Sequence, residues 1–258
     1  MAKDIALSKN GHVATIEIQR PPLNFFDLSL IQQIADALEQ LDKEVAVRAV
    51  VLAAQGKAFC AGANFSTSES DDGDTNSNSA TEHLYLEAVR IYRTAKPIVA
   101  AVHGAAIGGG LGLAMTADFR VTCPEARFAA NFTRLGFHPG FGLTVTLPEA
   151  IGKTNADLMF LTSRRVTGQE AYNMGLASVL VAQDQVREAA AKLADEIAEC
   201  SPLGTIATRA TLRGNLADRV KAATDHELAE QARLRLTEDF AEGVKSTAER
   251  RPANFKAR

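Results

Sequence analysis

A chain of 258 residues with 46% apolar residues can build a full hydrophobic core, and a net charge of -3 excludes both a disordered polyelectrolyte and a polycation made for nucleic acid. The three cysteines, Cys60, Cys123 and Cys200, are far apart and odd in number, which excludes a disulfide framework and a CxxC metal site; the five histidines show no HxxxH or HExxH spacing, so no metal is expected. No apolar run approaches the roughly eighteen residues of a membrane span and MAKDIALSKNGHV has no signal core, so the expectation is a cytoplasmic protein, one main body with a smaller appendage and no membrane partner.

Alternation around Asn10-Gly11 predicts a hairpin of Asp4 to Leu7 with Val13 to Gln19. Asp27 or Ser29 then caps a helix whose apolar residues Leu28, Ile31, Ile34, Leu38 and Leu41 recur every three to four positions. Val47 to Ala53, nearly all apolar, reads as a buried parallel strand, and strand–helix–strand order argues for an α/β core. From Ser66 to Ala80 the chain turns polar and acidic, which predicts a mobile loop, followed by a helix from about Glu82 to Thr94.

The stretch Lys96 to Phe119, KPIVAAVHGAAIGGGLGLAMTADF, organises the rest. Ile98 to Val102 reads as a buried strand, and Gly104, Gly108, Gly109, Gly110 and Gly112 crowd the turn and helix start behind it. Glycines there let backbone N–H groups approach a ligand, and unpaired N–H groups at a helix start stabilise an oxygen that gains negative charge. A turn without a ligand is the alternative. Two phosphate motifs fail on spacing. Counting G-x-G-x-x-G from Gly108 and Gly110 ends on Leu113, and a P-loop ending at Gly152, Lys153 and Thr154 would need its first glycine at Leu147.

Further strands are expected at Phe119 to Thr122 and Arg127 to Ala129. A glycine turn (Gly136, Gly140, Gly142) leads to helices near Leu143 to Ile151 and Asn155 to Leu161. Thr167 caps a short helix closed by Gly175, and Ala177 to Val181 is the last strand. After Gln183 three helical segments follow, Gln185 to Cys200, Leu203 to Leu216 and Arg219 to Leu236, whose apolar surface suggests subunit packing.

A second small-residue turn, GKAFCAGANF from Gly56 to Phe65, follows the Val47 to Ala53 strand. With RPPLNFFDLSL, HGAAIGGGLGLAMTADF, TGQEAYNMGLASVLV and the tail TEDFAEGVKSTAERRPANFKAR, it resembles the crotonase (enoyl-CoA hydratase/isomerase) superfamily over almost the whole chain. The resemblance implies an α/β spiral of ββα units over residues 1–198 and a C-terminal helical trimerisation region over 199–258, commonly giving a dimer of trimers. It also implies an acyl-CoA thioester as substrate, with coenzyme A entering as part of that substrate and no separate cofactor. By position it places an oxyanion hole on the N–H groups of Ala63 and Gly109, and coenzyme A contacts at Phe25, Lys57 and Ala61, with Lys57 and Lys256 as candidates for its phosphates; a solvated surface role is the alternative for either lysine.

The pattern also departs from the family. Hydratases of this superfamily carry two glutamates that activate water, and here those positions fall on Gly112 and Phe132, neither of which exchanges a proton. His138, between Gly136 and Gly140, is the acid–base candidate, because imidazole exchanges protons near neutral pH; a structural histidine is the alternative. Glu82, His83 and Tyr85 are secondary candidates for which surface exposure is expected. Asp118 is expected to be structural, as are Asn64 and Asn131, which alternatively bond a substrate. Phe132, Phe137 and Phe141 hint at an apolar pocket. Isomerisation, decarboxylation, thioester hydrolysis, carbon–carbon cleavage and acyl-CoA binding without catalysis all stay open at this level.

Overall fold

Ladders between short strands set the frame of the molecule, which is a computed structural model describing residues 4–64 and 78–258. Strands β1 (Ile5–Asn10) and β2 (Val13–Ile18) form the expected hairpin, but Asn10 pairs with Val13, so the two turn residues are Gly11 and His12, one step later than Asn10-Gly11. Of the turn pair only Gly11 has positive φ, which suits the first position of a type II′ turn. Helix α1 (Leu28–Asp42) begins where Asp27 accepts from the Leu30 N–H at 2.9 Å, and it buries Leu30, Ile31, Ile34, Leu38 and Leu41.

Three strand–strand–helix units follow. They are β3 (Ala49–Ala54), β4 (Ala58–Cys60) and α2 (Asn78–Tyr92), then β5 (Ile98–Val102), β6 (Ala105–Ile107) and α3 (Gly109–Met115). The third is β7 (Phe119–Thr122), β8 (Arg127–Ala129) and α4 (Leu143–Thr162). After these come β9 (Val166–Thr167), α5 (Gly168–Asn173) and β10 (Val179–Leu180). The first strand of each unit joins a six-stranded sheet of order β1-β2-β3-β5-β7-β10, parallel except at the hairpin; the second joins a four-stranded sheet of order β4-β6-β8-β9. All residues of β3 and β5 are buried, as a parallel strand covered on both faces requires.

Several expectations change here. The polar segment read as a loop from Ser66 to Ala80 lies outside the described residues up to position 77, and its last three residues already belong to α2. Strand β6 intervenes between the organising strand and α3, because three residues pair with β8 before the glycines turn the chain. The two helices expected after Gly142 run as one element broken at Gly152, whose φ of 76° and ψ of 155° are not helical.

Four helices, not three, close the chain: α6 (Val186–Glu199), α7 (Pro202–Arg213), α8 (Leu216–Leu234) and α9 (Glu238–Ala248). The segment ending near Leu236 stops because the Thr237 hydroxyl accepts from the Phe240 N–H at 3.1 Å and starts α9. Among the described residues no helix is long and apolar enough to cross a membrane.

Candidate active site

The segment between β2 and α1 runs beside β4 and its following turn. Asn24, fully buried in the left-handed region (φ 51°), donates its amide to the carbonyls of Gln55 at 2.6 Å and Ala58 at 2.8 Å. The Lys57 N–H donates to Pro22 O at 2.9 Å, Ala61 N–H to Leu23 O at 3.0 Å, and Phe26 N–H to Gly62 O at 3.0 Å, with Phe26 and Ala63 forming a parallel bridge. Phe25, Lys57, Ala61 and Ala63 are therefore neighbours along one seam. Lys57 is exposed, and among the described residues its ammonium makes no ion pair. Asn24 was not legible as the organiser of this seam, since its role depends on carbonyls more than thirty residues away.

The second glycine turn packs directly on this seam. Gly62 has φ 89°, and a Cβ there would lie 2.8 Å from Ile107 O and 3.8 Å from Gly109 N, so the turns after β4 and β6 touch only because Gly62 lacks one. A Cβ on Gly110 would collide with the carbonyl of Cys60, which explains a second glycine at this junction. Gly109 is the first residue of α3, so its N–H has no helical acceptor. Among the described residues no carbonyl accepts from the N–H of Gly109 or Ala63. The Cys60 thiol, pushed up to about 12 by burial, is inert beside them.

The walls are apolar. A Cβ on Gly109 would lie 2.5 Å from Phe26 Cε1, one on Gly112 2.6 Å from Phe141 Cβ, and one on Gly108 3.8 Å from Phe132 Cζ and 3.3 Å from Asn131 Oδ1. Phe26 was not singled out in the sequence; its partner, a glycine 83 positions on, becomes visible only in three dimensions. Of the three phenylalanines expected to line a pocket, Phe132 and Phe141 meet these glycines. The Phe137 ring lies 5.0 Å from Phe240 of α9, with the Arg235 guanidinium 5.2 Å from its centroid.

His138 is half-buried, and its contacts run to α8. Its Nδ1 lies 2.8 Å from Pro139 O, an acceptor, so that nitrogen carries the proton; its ring meets His226 edge-on at 5.8 Å. Among the described residues no hydrogen bond or ring contact joins it to the Ala63 or Gly109 turns. Glu82 and His83 are exposed, as expected, but Tyr85 is buried. Its hydroxyl donates to Gln231 Oε1 at 2.9 Å, and Gln231 donates to the carbonyls of His138 at 3.0 Å and Pro139 at 3.3 Å. Burial raises the Tyr85 pKa, which keeps the phenol neutral. On α8, which also carries Gln231, the fully buried Glu227 accepts from Gly142 N–H at 2.9 Å and Thr144 Oγ1 at 2.6 Å; burial nevertheless holds its carboxyl above the usual range. Thus α8 shapes the loop carrying His138 and Phe141.

Lys256 belongs to the C-terminal tail after α9. It lines a cavity of about 310 Å³ with Glu238, Asp239 and Glu242, and its N–H donates to Asp239 Oδ1 at 2.6 Å. Asp118 is structural, as expected: it accepts from Ile98 N–H at 2.8 Å and pairs with Arg209 and Arg213 of α7. Among the described residues no group of three His, Cys, Asp or Glu side chains is arranged to hold a metal ion.

A family model described as enoyl-CoA hydratase/isomerase matches residues 8–258. A probable enoyl-CoA hydratase of Bacillus subtilis is 30% identical over 253 residues, covering 98% of each chain. The 2,3-dehydroadipyl-CoA hydratase of Escherichia coli is 30% identical over 256 residues, covering 99% of each. Among solved structures, carnitinyl-CoA hydratase from Mycobacterium avium superposes with a TM-score of 0.88 at 29% identity over the full length of both chains. An enoyl-CoA hydratase/isomerase from Pseudoalteromonas atlantica gives 0.86 at 28%, covering 98% of this chain and all of that one.

Proposed function

The chain belongs to the enoyl-CoA hydratase/isomerase family, and from that premise we propose that it acts on an acyl-CoA thioester by stabilising an enolate with the N–H groups of Ala63 and Gly109. Removing an α-proton, or adding a nucleophile at the β-carbon, drives negative charge onto the thioester oxygen. Two preorganised donors aimed at that oxygen lower the barrier, and losing one such donor costs roughly 10² to 10³ in rate in other enzymes. The observation that supports the reading is the contact of the two glycine turns, with no carbonyl among the described residues accepting from either N–H group.

The seam of Phe25, Lys57 and Ala61 is the proposed coenzyme A side, where the exposed Lys57 ammonium, without an ion pair among the described residues, would meet a phosphate. Lys256 is the weaker phosphate candidate, because Glu238, Asp239 and Glu242 surround it. Gly112 and Phe132, at the two glutamate positions, argue against fast hydration. His138 is the proposed acid or base, acting on a substrate held by the two turns. Leu203 and Leu212 of α7 and Leu236 are 80%, 82% and 89% exposed, which supports self-association of the C-terminal helices as a trimer or dimer of trimers; a monomer in mass photometry would refute it.

The test of the central reading is spectroscopic. Polarising the carbonyl of a conjugated dienoyl-CoA should move its absorption to longer wavelength on binding. Binding without any shift would leave an acyl-CoA-binding protein without this donor pair, and turnover of no acyl-CoA would favour the non-catalytic alternative.

A further inference from the structure

Gly109 and Gly112 stand three residues apart on α3, so they share one face of the helix, about 4.5 Å apart along its axis. A phenylalanine ring lies against each. A Cβ on Gly112 would sit 2.6 Å from Phe141 Cβ, 2.8 Å from Cγ and 2.9 Å from Cδ1, all inside the 3.0 Å that real Cβ atoms essentially never cross. The ring over Gly109 is that of Phe26, and the two rings meet at 5.7 Å between centroids, tilted by 56°. They form one apolar wall along this face of α3.

Phe141 is held in that place by its surroundings. Its φ of 63° lies in the left-handed region, which a phenylalanine adopts only when its environment imposes it, and its side chain is 1% exposed. The Tyr92 hydroxyl donates to its carbonyl at 3.5 Å. A side chain at position 112 would project from the face next to the Gly109 N–H, where an acid or base would reach a bound acyl group. Phe141 already fills that volume.

We infer that Phe141 is a specificity-determining residue: paired by size with Gly112, its ring keeps ionisable side chains and water off the face of α3 beside Gly109, so that the site takes acyl groups that are apolar next to the carbonyl and delivers no water to them. This rests on the proposed binding of a thioester oxygen at the Gly109 N–H. Packing, not only the missing carboxylate, thereby bars hydration, and restoring a carboxylate requires removing the ring as well. Alanine at 141 would not make room, because the nearest clash is with Cβ itself, whereas glycine removes all three close atoms and suits the positive φ.

The experiment has a folding arm and a functional arm. Gly112→Ala should lower the melting temperature of the otherwise wild-type protein and cost little or nothing in a Phe141→Gly background; an equal loss in both backgrounds overturns the size pairing. In the functional arm, G112E/F141G should hydrate crotonyl-CoA at least about ten-fold faster than wild type and faster than F141G, since a positioned carboxylate regains an acid–base contribution. A folded double variant that binds butyryl-CoA but hydrates no faster overturns the inference. Should that variant not fold, F141G alone is decisive: its preference for 3-hydroxybutyryl-CoA over butyryl-CoA should rise at least about five-fold, and an unchanged ratio overturns the proposal. Failure of wild-type protein itself to bind butyryl-CoA would instead refute the acyl-CoA reading on which the inference rests.

Discussion

Arg209, on α7, donates its Nε to both carboxylate oxygens of Asp118, at 3.0 and 2.9 Å, across 91 residues of sequence. Arg213 Nε reaches the same carboxylate at 2.9 Å, and the Ile98 N–H, at the start of β5, donates to it at 2.8 Å. One aspartate directly after the α3 turn therefore ties the C-terminal helices to the central sheet. Arg209 is 8% exposed; burial lowers its pKa and the Asp118 charge beside it opposes that shift.

Removing that partner strands two largely buried cations. Asp118→Ala is predicted to destabilise the protein by about 3–5 kcal/mol, the range for breaking a buried pair from one side. Asp118→Asn, which keeps one acceptor, should lose less. Urea midpoints measure both, and an Asp118→Ala protein as stable as wild type would show that α7 is held by other contacts.

Replacing Gly109 with proline deletes the N–H proposed to meet the thioester oxygen. Turnover should fall by roughly 10² to 10³. Because Phe26 packs against Gly109, melting must be followed alongside; the oxyanion assignment would be falsified if a folded Gly109→Pro protein kept full activity.

Crotonyl-CoA should be a poor substrate for hydration, since neither Gly112 nor Phe132 can activate water and a positioned acid or base supplies about 10² to 10⁴ in rate. The check is the loss of enoyl absorbance with time. Rates typical of efficient hydratases would mean that another group activates water.

If His138 is the acid or base, His138→Ala should lower turnover about 10²-fold or more with nearly unchanged thioester affinity. Its packing on His226 sets up the opposite outcome as well. A purely structural histidine would lower the melting temperature and shift binding and rate together, and unchanged turnover in a stable variant would move attention to Tyr85.

Glu227 makes a pH prediction. Burial raises its folded pKa above the reference of 4.5, despite the hydrogen bonds from Thr144 and Gly142 that oppose the shift. The folded state therefore binds the proton more tightly than the unfolded state. The resulting stabilisation is fully present below pH 4.5 and is lost as pH rises through the folded pKa. The difference in melting temperature between wild type and Glu227→Gln should accordingly shift against wild type as pH rises from 4 towards neutrality. A difference that stays flat, or moves the other way, would mean that the carboxyl is not raised.

The sequence by itself determined the local elements and the two turns. Periodicity placed α1 and narrowed its cap to Asp27 or Ser29, continuous apolar runs placed β3 and β5, and small residues marked both strand-to-turn junctions, because each signal resides in neighbouring residues. The hairpin turn was found one residue early, and β6 was hidden within the glycine-rich run, since three residues of strand are defined by pairing with β8 and not by their own pattern. What only the tertiary structure decided is which distant side chains meet these turns: Phe26 on Gly109, Phe141 on Gly112, Asp118 with Arg209, and Gln231 under the His138 loop. Glycine shows in a sequence that space is required, but the group that fills the space comes from elsewhere in the chain, and close packing alone selects it.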